Sequence, residues 1–121
     1  MGYLLHKAAL AHNWGLPYDL ALMASATESI NREWMNAEHG TDHPIVMVSY
    51  GMMNGSVTWT FVVDGSKEGW ATSDLADVLR DRFIEACESC QYTDVVLLTM
   101  GGDDKRFDAT FITTPTREET T

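Results

Sequence analysis

Lysine is scarce in this chain. Lys7, Lys67 and Lys105 are the only three, and lysine and arginine together number 8 against 18 aspartates and glutamates, a net charge of −10. Phosphate backbones are held by clustered lysines and arginines, so the composition argues against direct binding to nucleic acid or to an anionic membrane. Long apolar runs are also missing, and none approaches the roughly 20 residues of a membrane span. The first residues, with Lys7 among short apolar patches, lack the charged start and long apolar stretch of a secretion signal. The expected location is cytoplasmic, in a bacterial cell or a phage-infected host. No phosphate-binding loop, serine-nucleophile elbow or dinucleotide fingerprint is present.

What remains is the composition of a folded protein. Of the 121 residues, 45% are apolar and 10% aromatic, which fits one packed core and excludes a disordered chain. The boundaries read as a single α+β domain over residues 1–114, followed by a polar, flexible tail over 115–121 that begins at Pro115.

Two segments superimpose without a gap at a spacing of 50 residues, the first starting at Ile45 and the second at Val95. Gly51 then meets Gly101, Ser49 meets Thr99, Thr60 meets Thr110 and Phe61 meets Phe111. Each segment alternates as a hairpin does and follows a helical pattern. The expected architecture is two helix–hairpin repeats that form a four-stranded antiparallel sheet with helices packed on one face.

Residues 3–12 read as a short N-terminal helix stopped at Asn13-Trp14-Gly15. Pro17 opens a second helix, expected over 17–39, with Leu16, Leu20, Met23, Thr27, Ile30, Trp34 and Ala37 as its apolar stripe. A third helix over 73–90, capped by Ser73 or Asp74, turns Leu75, Leu79, Phe83, Ala86, Cys87 and Cys90 inward.

Asn54-Gly55 is a strong hairpin signal, because both central residues of a type I′ turn need positive φ. That turn sets Tyr50 opposite Trp59, Val48 opposite Phe61 and Val46 opposite Val63 on the face toward the helices. Transferred to the second hairpin, it sends Val96, Leu98, Met100, Phe107, Ala109 and Phe111 inward as well. Ile45, Met47, Val62, Val95, Leu97 and Ile112 then form an apolar fringe on the outer face, where a second copy of the chain can pair.

Candidate chemistry is sparse. Cys87-Glu-Ser-Cys90 has redox spacing but ends a helix, where the dipole opposes a thiolate, and its first cysteine continues an apolar stripe. His39 and His43 complete a two-Cys, two-His set on paper, but repeats related by a two-fold axis place the two corners at opposite ends of the sheet. Gly101-Gly102-Asp103-Asp104 has the look of an acidic metal-binding hairpin. Its counterpart Met52-Met53-Asn54-Gly55 and carboxylate-free neighbouring strands make it turn chemistry instead. No cofactor or metal is expected, and no catalytic residue is assigned.

The expected function is therefore that of a small acidic, non-enzymatic protein-binding module occupying a basic surface of a partner. Phage and mobile-element inhibitors of nucleic-acid-handling complexes, anti-CRISPR proteins and nucleic-acid mimics among them, share this size and charge. The candidate contact residues are the helical row Asp77, Asp81, Glu85 and Glu88, then Asp103, Asp104 and Asp108 at and beside the second hairpin tip. Asp77–Asp81 and Asp81–Glu85 are like-charge pairs that weaken their own helix, so helix stability is no reason for the row. One alternative is an acidic dimeric chaperone or adaptor. Another is a small-molecule-binding or enzymatic domain with a pocket between the repeats, built from threonines, Tyr50 and His43.

Overall fold

The computed structural model describes residues 5–51, 55–62, 70–101 and 106–112. They form an α+β domain in the order β1 (Leu5–Asn13), α1 (Pro17–Asn36), β2 (Val46–Tyr50), β3 (Val57–Phe61), α2 (Ala71–Glu88), β4 (Asp94–Gly101) and β5 (Arg106–Ile112). The strands lie in one open sheet, ordered β2-β3-β1-β4-β5, and every neighbouring pair is antiparallel. All four expected strands are present. A fifth, β1, lies between the two hairpins and joins them, which gives the first six elements a split β-α-β arrangement used twice.

That fifth strand corrects the expected N-terminal helix. Residues 5–13 are extended, with Ala9 and Ala11 fully buried toward the helices and Leu10 on the other face. Alanine favours a helix in isolation. At the centre of a sheet, its small side chain lets two helices pack directly above, and tertiary context overrides propensity.

The first hairpin is shifted by two residues from the expected pairing. Tyr50 opposes Val57, Val48 opposes Trp59 and Val46 opposes Phe61. The Gly51 N–H donates to the Ser56 carbonyl at 2.6 Å, so the connecting loop is longer than a two-residue turn. Gly51 permits this closure, since a Cβ there would lie 1.8 Å from Ser56 Oγ. Gly55 has the positive φ, 67°, expected of it, while Asn54 lies outside the described residues. The second hairpin repeats the shifted register 50 residues on, with Val96 opposite Phe111 and Leu98 opposite Ala109.

The faces, however, are inverted between the hairpins. Ala9 pairs with Phe61 on one side and Leu97 on the other, and Ala11 pairs likewise with Trp59 and Val95. Val95 is therefore in the core, while Val96, Leu98 and Met100 share the outer face with His6, Ala8 and Leu10. A one-residue change of phase turns every side chain over, and a buried polar node sets that phase. Asp19, fully buried in the first turn of α1, accepts from the Gln91 and Tyr92 N–H groups at 2.8 and 2.9 Å. It also accepts from the Asn13 amide at 2.7 Å and the Thr93 hydroxyl at 3.1 Å. With Thr93 held inward, Val95 and Leu97 follow it.

Met23, Thr27, Ile30 and Trp34 bury the expected stripe of α1, and Leu79, Phe83 and Cys87 that of α2, joined by Ala76, while Leu75 and Ala86 are only partly buried. α2 starts two residues earlier than expected, at Ala71, so Ser73 and Asp74 lie in its first turn rather than capping it. Phe61 and Phe83 meet at 5.9 Å between centroids, and Arg80 lies buried with its guanidinium 5.3 Å from the Phe61 ring centre. No helix among the described residues is long and apolar enough to cross a membrane.

Candidate functional site

Three surfaces stand out among the described residues. The first is the outer side of α2. Trp70, Asp74, Val78, Asp81, Glu85 and Glu88 recur at steps of four and three and all are exposed, making one line along the helix. The two arginines of α2 are both engaged elsewhere: Arg80 binds Asp77 at 2.7 Å, and Arg82 crosses to Glu33 of α1 at 2.8 Å. Of the expected acidic row, Asp81, Glu85 and Glu88 thus stand on the line. Asp77 is half-buried and held by Arg80. Asp103 and Asp104 lie outside the described residues, and Asp108 is placed by its backbone opposite Thr99 in β5.

The second surface is the outer face of the sheet, where Ala8, Leu10, Val96, Leu98 and Met100 form an apolar patch across β1 and β4. Thr58, His12 and Asp94 border it in a row over three strands, with His12 Nδ1 3.1 Å from Thr58 Oγ1. A hydroxyl, an imidazole and a carboxylate side by side are nucleophilic chemistry on paper, but the row lies on an open face and lines neither the cavity beside β2 nor the one along α1 among the described residues.

The third surface is the free end of the first hairpin. A cavity of ≈ 390 Å³ opens between α1 and strands β2 and β3, lined by Leu20, Ala24, Thr27, Val48, Val57 and Trp59, with Tyr50 and Glu28 at its border. Tyr50 is 81% exposed and Val48 is exposed as well, although Val46, Val57 and Trp59 on the same face are buried. α1 does not reach over it. The cavity lies between a single helix and the first hairpin, not between the two hairpins. It includes Tyr50 and a threonine, whereas His43 is exposed in the loop before β2.

Cys87 and Cys90 are buried free thiols. Burial above all, with Cys90 and the Glu88 carboxylate nearby, drives the Cys87 thiol far above its ordinary value. Burial also raises Cys90, aided by Asp19 and opposed by the Thr93 hydroxyl. Neutral thiols of this kind are poor nucleophiles and poor ligands. His39 and His43 are exposed, and no cluster of three or more metal-ligating side chains forms among the described residues.

The sequence around Asp19 and Asn13 does not disclose their roles, because the partners in Gln91 to Thr93 lie more than 70 residues away. The one local signal was an aspartate in the turn after Pro17. Comparison with protein-family models, curated proteins and solved structures finds no match to this chain.

Proposed function

We propose that this chain is a non-enzymatic binding module, an inhibitor or adaptor that presents the outer side of α2 to a basic surface of a partner protein. The observation that carries this reading is the line Asp74, Asp81, Glu85 and Glu88, exposed while both arginines of the helix are turned away to Asp77 and Glu33. An acidic stripe without interleaved cations steers basic partners and repels acidic ones. Trp70 and Val78 on the same line supply exposed apolar surface, and tryptophan is the residue type most often found to anchor interfaces. Partners with large basic surfaces are found in nucleic-acid-handling complexes, and a phage or mobile-element inhibitor of such a complex fits the acidity of the whole chain.

The two helix–hairpin segments are read as copies of one unit, in which the second has turned its apolar face outward. That outer patch supports a second element of the proposal, a homodimer formed by packing sheet on sheet. Among the described side chains, Asp94 is the one carboxylate on the strands, so the sheet face is where two copies of so acidic a chain repel least.

The test is capture from host extract at low salt by wild type and by the double variant Asp81→Lys, Glu85→Lys. The reading expects basic proteins that salt releases from wild type and that the variant fails to capture. Identical captured sets would overturn it.

A further inference from the structure

In an antiparallel pair, residues alternate between those whose backbone groups bond the partner strand and those whose groups point away. Gly51 donates to Ser56 and Ile45 accepts from Val62, so odd-numbered residues of β2 face β3. The backbone groups of Val46, Val48 and Tyr50 therefore point outward, to the free edge of the sheet. Those of Val46 are occupied, since Asn31 of α1 donates to its carbonyl at 3.1 Å and accepts from its N–H at 2.8 Å. For Val48 and Tyr50, no backbone partner exists among the described residues.

Proteins usually protect such an edge with a lysine, a proline or a bulge. β2 reads Val-Met-Val-Ser-Tyr and has none of these. The side chains of Val48 and Tyr50 point to the helix side, where they border the ≈ 390 Å³ cavity. That volume lies within the range of ligand pockets, roughly 300–1,000 Å³. Open backbone groups supply affinity for an added strand, and an apolar pocket beside them supplies selectivity for one of its side chains.

We propose that the free edge of β2 and the cavity beside it form a docking site for an extended, basic segment of a partner protein, which adds as a further strand and inserts one bulky apolar side chain between α1 and the hairpin. The net charge of −10 selects the occupant. The second copy proposed above packs on the sheet face and leaves this edge open, whereas a basic segment is drawn to the edge by the charge of the chain. The site is independent of the α2 stripe, because α1 lies between the cavity and α2.

The experiment uses the full chain and a fluorescent nine-residue peptide alternating lysine with phenylalanine, at 0.15 M salt, where distant charges are screened beyond about 8 Å. Two control peptides keep the same lysines, one methylated on alternate backbone nitrogens and the other with one phenylalanine replaced by proline. Val48→Pro removes one outward N–H and leaves the bonds to β3 intact. Ala24→Phe fills the cavity from an exposed helical position. The expected result is binding of the unmodified peptide with new hydrogen-exchange protection at the Val48 and Tyr50 amides. Both substitutions and both control peptides should weaken binding by about tenfold or more, as loss of strand addition requires, while Asp81→Lys with Glu85→Lys leaves it within about threefold. Equal affinity for the methylated peptide, protection confined to α2, or edge amides already protected by a second copy would each overturn the proposal.

Discussion

The side chain of Asn31 takes the place of a neighbouring strand for Val46. Its amide nitrogen donates to the Val46 carbonyl, and its oxygen accepts from the Val46 N–H at 2.8 Å and the Ile45 N–H at 3.0 Å. One residue of α1 thereby closes the start of the β2 edge and ties the helix to the sheet. Asn31→Ala should cost about 1–2 kcal/mol, since the orphaned groups are partly reachable by water. It should also speed hydrogen exchange at Val46 specifically. Urea denaturation and exchange measured together check both effects.

Asp19 is a buried carboxylate held by four donors rather than by a cation. Asp19→Ala leaves the Gln91 and Tyr92 N–H groups without their acceptor and should destabilise the fold by about 3 kcal/mol or more. Because Thr93 sets which residues of β4 face the helices, the variant should also loosen that strand. Exchange protection at Val95 and Leu97 should fall more than that at Val57 and Trp59.

The raised Cys87 thiol makes a prediction with a definite sign. Folding holds the thiol neutral, so its contribution is present below the ordinary value of 9.0 and is lost as pH rises above it, where the unfolded chain releases the proton. Stability should therefore decline above about pH 9, and Cys87→Ala should flatten that decline while lowering stability at neutral pH. Thermal melts from pH 7 to pH 10 measure it. Thiol reagents should leave Cys87 unmodified in the native protein.

Leu98 distinguishes the outer face from the core. Expected in the core from the repeat, it lies instead beside Ala8 on the open side of the sheet. Leu98→Glu should leave the fold intact and convert a dimer to a monomer at micromolar concentration, as sedimentation would show. Phe83→Ala, in the core, should cost about 3–5 kcal/mol. Monomeric wild-type protein would exclude the sheet-on-sheet dimer.

Much of this fold was legible in local patterns. The stripe of α1, Met23, Thr27, Ile30 and Trp34, needs only the 3.6-residue period, and the helix-facing side of the first hairpin needs only alternation. β1 was not legible, because Ala8, Ala9 and Ala11 carry a helical preference that only two covering helices override. The inverted face of β4 was hidden for a similar reason. Its phase depends on Thr93 reaching Asp19, 74 residues earlier, and no spacing within the hairpin encodes that. Of the candidate site, the exposed row on α2 followed from helical geometry alone. The engagement of Asp77 by Arg80 required the fold, and so did the open edge beside Tyr50.

Two variants of equal net charge test the central claim, that the acidic side of α2 is the partner-binding surface. One carries Asp81→Lys and Glu85→Lys on α2; the other carries Glu38→Lys and Asp42→Lys in the exposed loop before β2. Their affinities for the captured basic partner, measured at 0.15 M salt, should differ. The α2 variant should lose about tenfold or more, equivalent to 1.4 kcal/mol, and show a weaker salt dependence, while the loop variant stays close to wild type. Equal losses in both would reduce the effect to net charge, and wild-type affinity in both would remove α2 from the interface; either result contradicts the account.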